Sequence, residues 1–157
     1  MTRVLISLAG IALLLTSCSL KDPAERTRAA IDDLVVASGS SPGSAYRDAA
    51  AHIDEAESAA ELGVIVEHLN DNRPTQQLEA LATLDGSPVS YTIGDALFWM
   101  LCLKFVTAPQ SRLDTRNQIK ANPNLATREL LAAWFRRHEC DLKRLREQHQ
   151  QLSQSGA

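Results

Sequence analysis

The chain has 157 residues, 45% of them apolar and 22% charged, with 16 Lys and Arg against 19 Asp and Glu. That length suits one compact domain with a single core, and no low-complexity or charge-rich run marks a stretch that would stay unfolded. A net charge of −3 without a basic stripe argues against nucleic acid, because neutralised phosphates supply most of that affinity.

The first segment carries the most information. Arg3 gives a short basic start, and Val4 to Leu15 is an apolar run broken only by Ser7. About a dozen residues is too short to cross a hydrocarbon core roughly 30 Å thick, but it suits the core of a secretory leader. Leu15-Thr16-Ser17-Cys18 follows. This segment resembles the lipobox of bacterial lipoproteins, with Leu three places before the cysteine and small residues between. The resemblance covers residues 1–19. It implies a leader over 1–17, transfer of a diacylglyceryl group to the Cys18 sulfur, and cleavage before Cys18. Two or three acyl chains on one residue make a durable anchor, since each buried methylene contributes about 0.8 kcal/mol. Ser19 stands where an Asp tends to hold such proteins at the inner membrane, so the resemblance points to the outer membrane, on its periplasmic side. Loss of Arg3 with the leader brings the net charge to −4.

Residues 18–22 then form a lipidated tether, and its four residues after Cys18 reach roughly 14 Å when extended. A single helical domain is expected over 23–152. Asp22-Pro23-Ala24-Glu25 reads as a helix start, with Asp as N-cap, Pro in the first position and Glu in the third. Ile31, Leu34 and Val35 form that helix's apolar stripe, which ends near Ser38-Gly39. A second, Ala-rich helix over about 44–56 places Tyr46, Ala49, Ala50 and Ile53 on one side. Ser58 and Glu61 fit a capping box, opening a third helix with Leu62, Ile65, Val66 and Leu69 inward. Asp71-Asn72-Arg73-Pro74 ends it.

Alternating Leu78, Ala80, Ala82 and Leu84, then Asp85-Gly86, then Val89 and Tyr91 allow a short β-hairpin near 77–91, or a loop with a helical turn. Thr92 and Asp95 cap a helix that runs from Ala96 to Val106 and is apolar on all sides, which marks it as the buried centre. Thr107 to Pro123 reads as loop with some helical turns. The last helix, about 125–151, spaces Leu131, Phe135, His138, Leu142, Leu145, His149 and Leu152 by threes and fours. Residues 153–157 are expected to fray. The fold class is all-α, a small bundle of four to five helices around a central apolar helix.

With Cys18 lipidated, Cys102 and Cys140 remain as an even pair. On a continuous helix Cys140 lies nine residues past Leu131, about 900° around at 100° per residue, and so faces away from the stripe that packs on the central helix. Unpaired thiols are expected. Four histidines, His52, His68, His138 and His149, show no metal-ligand spacing, and no nucleophile elbow, P-loop or dinucleotide fingerprint is present. No cofactor or metal is expected. Asp71, Arg73 and Thr75 form a possible recognition loop, with Arg73 as a fork for a carboxylate or phosphate. The opposing view pairs Arg73 with Asp71 at a helix end.

These features favour a non-catalytic accessory protein, held by membrane lipid through acylated Cys18 and engaging another envelope protein through a helical face. Three alternatives stand beside it. One is a structural lipoprotein spacing membrane and cell wall, and another is an immunity-type inhibitor of a periplasmic toxin. The third is a cell-envelope hydrolase, which would require His68, Asp71 and Arg73 to converge in a cleft.

Overall fold

A computed structural model describes residues 22–35, 43–75 and 91–155. Cys18, the leader, the rest of the tether and the hairpin expected near 77–91, apart from Tyr91, lie outside the described residues. The architecture is all-α. In chain order the helices are α1 (Pro23–Asp33), α2 (Ser44–Glu55), α3 (Ala59–Glu67), α4 (Ile93–Leu103), α5 (Arg112–Lys120), α6 (Arg128–Arg137) and α7 (Leu142–Ser155), with a 3-10 turn at Pro123–Leu125. Among the described residues no helix is long and apolar enough to cross a membrane.

Local chemistry sets where these helices begin. Asp22 caps α1 by accepting from the Ala24 amide at 3.2 Å, with Pro23 in the first turn. Ser58 and Glu61 exchange side-chain and backbone bonds at the head of α3, and Thr92 and Asp95 do the same for α4. Each reciprocal box satisfies amides that the first turn leaves without a carbonyl. Most of the apolar stripe residues bury as spaced: Ile31, Ile53, Leu62, Ile65, Leu97, Leu101, Leu131, Phe135 and Leu145 are fully buried in one core, whereas Val35, beyond the end of α1, and Leu152 are exposed. Complete burial of a side chain of this size contributes about 1.5–3 kcal/mol.

α1 packs on α2 and α3, α3 on α6, and α4 touches α2 and α5. Two isolated antiparallel bridges, Val35 with Thr75 and Pro74 with Thr92, tie the end of α1 to the entry of α4. The other end of the bundle is held by long cations. Lys104 Nζ donates to the Asp54 carbonyl at 2.5 Å, and Arg146 reaches Glu57 at 3.3 Å.

The expected last helix over 125–151 is two helices. After α6 the chain closes a Schellman motif: the Glu139 amide donates to the Arg136 carbonyl at 3.1 Å and the Cys140 amide to the Phe135 carbonyl at 2.9 Å. Asp141 then caps α7, accepting from the Arg144 amide at 3.1 Å. The break falls where Glu139 and Cys140 take positive φ, a conformation that a right-handed helix cannot contain. α7 continues through Ser155, past the tail expected to fray from 153. The polar stretch 107–123 also holds α5, so the described residues contain seven α-helices where four to five were expected.

Cys102 and Cys140 are unpaired, as expected, but Cys140 is not placed as the continuous helix predicted. Cys140 lies in the turn rather than on a helix, and its side chain is buried rather than directed outward.

Two substitutions test these junctions. A Cβ on Gly94 would stand 2.2 Å from the Leu69 carbonyl oxygen and 2.9 Å from its carbon, both backbone atoms that cannot turn aside. Gly94→Ala should therefore lower stability by about 1–3 kcal/mol, the range of overpacked sites, as read by urea unfolding. Glu139 and Cys140 both sit in the left-handed region, at φ 54° and 55°. Replacing Glu139 with Gly removes a Cβ penalty of about 1–2 kcal/mol and restores part of it as chain entropy. A gain of about 1 kcal/mol in the same assay is expected for Glu139→Gly.

Candidate binding cleft

Between α4, α5 and the 3-10 turn lies a cleft of about 400 Å³, lined by Phe98, Trp99, Arg116, Ile119, Lys120, Asn122, Leu125 and Ala126. α4 supplies its aromatic wall. One side of that helix buries Leu97, Leu101 and Cys102 completely, whereas Phe98 and Trp99 remain half-buried, ring edge against ring face at 5.5 Å. The central helix is thus covered on one side and open to the cleft on the other.

α5 supplies the opposite wall. Ser111 caps it by accepting from the Asp114 amide at 3.1 Å, and Gln118 pins it to the preceding loop through both the amide and the carbonyl of Thr107. Ile119 is its one buried residue, and Leu113 on its outer side is 67% exposed. Arg112, Arg116 and Lys120 recur every fourth residue and therefore share one face of the helix. None of the three has a carboxylate partner among the described residues. The site is not visible in the apolar spacing of the sequence, which predicts loop with some helical turns over this segment. The available signal was Ser111 three places before Asp114, followed by the fourfold basic spacing and the stop at Pro123.

Asn122 lines the cleft and belongs to a buried polar pair behind it. Asn122 and His149 are both almost fully buried, and the Asn122 amide donates to His149 Nδ1 at 3.2 Å, which places the imidazole proton on Nε2. Asn122 Oδ1 also accepts from the Asn124 amide at 3.0 Å, holding the turn under the cleft. Phe105 flanks the imidazole, with ring centres 5.5 Å apart.

The residues singled out from sequence stand elsewhere. Arg73 Nε and Nη2 embrace the Asp71 carboxylate at 2.9 and 2.7 Å, and Nη1 reaches Asp32 of α1 at 2.6 Å. The guanidinium holds the Asp71 carboxyl below the usual carboxylate range. Thr75 Oγ1 donates to the Leu34 carbonyl at 2.5 Å, and its amide to the Tyr91 carbonyl at 3.0 Å. The structure thus brings Asp71, Arg73 and Thr75 together as a strap from α1 to α4, with both carboxylates already on the guanidinium.

The histidines are engaged in a similar way. His68 Nδ1 donates to the Val64 carbonyl at 3.0 Å, and His52 Nε2 lies 3.2 Å from Thr27 Oγ1. His138 closes α6, with Nδ1 buried and without a hydrogen-bond partner among the described residues. Within the described residues no group of three or more His, Cys, Asp or Glu could hold a metal ion.

Burial holds the His149 pKa below its ordinary 6.5. The unfolded chain therefore takes up this proton before the folded one does, so stability is retained above about pH 6.5 and falls as pH drops below it. Urea midpoints measured from pH 7 to 5.5 should fall, and His149→Gln should flatten that slope. Compared with known proteins, the chain shows no significant match to any family model, curated protein or solved structure.

Proposed function

We propose that this chain is a lipid-anchored protein of the bacterial envelope whose helical domain binds a partner molecule and carries out no chemistry. The observation that carries the reading is the order of basic start, apolar run and Leu15-Thr16-Ser17-Cys18, with four residues between Cys18 and the start of the Asp22-capped helix at Pro23. Ser19 after the cysteine favours the outer membrane, with the domain on the periplasmic side.

The domain supports a binding role through its cleft, where Arg116 and Lys120 stand beside two aromatic rings and meet no carboxylate among the described residues. The side chains that could have served a hydrolase are committed elsewhere. Asp71 is held by Arg73, and His68 by a backbone carbonyl of its own helix. Neither lines the cleft.

Metabolic labelling provides the test. Labelled palmitate should enter the wild-type chain and not Cys18→Ala. The wild type should sediment with membranes, while the variant is released into the soluble periplasmic fraction. An unlabelled wild type, or a variant that sediments as before, would remove the anchor from this reading.

A further inference from the structure

We propose that the cleft between α4 and α5 binds a small amphipathic anion. Its apolar body would lie against Phe98, Trp99 and Ile119, and its carboxylate or phosphate between Arg116 and Lys120. The inference rests on the reading of this domain as a binding module and does not depend on the lipid anchor.

Charge gives the first argument. Arg116 and Lys120, like Arg112 and several other surface cations, meet no carboxylate among the described residues, and these two are the cations that line the cleft beside its aromatic wall. One helical turn apart, these two cations repel each other, and an anion between them converts that repulsion into two attractions. The chain is otherwise acidic, at −3 overall, so this mouth is a local attractor for an anion that much of the remaining surface would repel.

Shape gives the second argument. The cleft, at about 400 Å³, falls within the roughly 300–1,000 Å³ of sites that enclose small ligands. Its free wall is a nine-residue helix, about 13 Å long, which is far too little surface for the roughly 800 Å² per partner of a stable protein interface. Two half-buried aromatic rings beside a buried Ile119 offer an apolar surface on which the body of such a ligand can lie.

The chemistry fits either a free fatty acid or the phosphate end of a lipid, and one titration separates them. Full-length protein in phosphatidylcholine vesicles is titrated with decanoate, decyl phosphate and uncharged decanol, reading the change in tryptophan emission, since Trp99 lines the cleft and Trp134 is buried outside it. A saturable response to at least one anion is expected, with decanol weaker by about fivefold or more, as two partly exposed charge contacts allow. Response to decanoate alone identifies fatty acids, and response to decyl phosphate alone identifies phosphate lipids; either supports the site.

The Arg116→Gln, Lys120→Gln double variant should lose the preference for charge. Ala126→Phe, at an exposed position on the rim, should block binding with helical content unchanged. No saturable response, decanol equal to both anions, or an undiminished charge preference in the double variant would overturn the proposal. Cys18→Ala should bind the anion as the wild type does, so a failed anchor and an empty cleft remain distinguishable outcomes.

Discussion

Three helices meet at the carbonyl of Leu69. Arg128, at the head of α6, donates one guanidinium nitrogen to that oxygen at 3.1 Å and another to Asp95 at 2.5 Å. Asp95 meanwhile accepts from the Thr92 amide at 2.9 Å and its hydroxyl at 2.7 Å, so one carboxylate both caps α4 and docks α6. The contact requires the chain to pass Gly94 without a side chain. A buried carbonyl without a partner costs about 1–3 kcal/mol, and this one is satisfied from across the fold rather than by its own helix. One wall of the cleft and the turn beneath it are fixed by this junction, since α4 leaves it in one direction and the turn leading to α6 enters it from the other.

Much of this was legible in the residues. The caps at Asp22, Ser58 and Thr92 follow from short-range chemistry, in which a side-chain oxygen finds an amide two or three residues on. The stripes of α2 and α3 follow from periodicity, and Tyr46, Ile53, Leu62 and Ile65 are inside as spaced. The break between α6 and α7 was hidden because Leu131, Phe135, Leu142 and Leu145 keep helical spacing straight across it. Only Asp141 marks the restart, and Glu139 stands where such turns usually carry glycine. A left-handed non-glycine residue is imposed by packing, which local sequence does not display.

The cleft was illegible for a related reason. α5 buries a single residue, so it lacks the apolar stripe by which helices are recognised, and its basic face exists only once the segment has coiled. The strap at 71–75 shows the converse. Its residue types suit recognition of an anion, but Asp32, 41 residues away in the chain, already occupies the fork. Polar composition says that a group needs partners, and only the fold says whether they come from within.

Burial pushes the Cys102 thiol up to about 12 and raises that of Cys140. At neutral pH the Cys102 thiolate is then roughly one part in 10⁵, and the reagent that would consume it must first find it. In an oxidising surrounding this amounts to chemical protection without a disulfide. Modification of Cys102 is limited by how often the bundle opens, so the rate at which a thiol-directed dye accumulates at this position is a clock for breathing of the core.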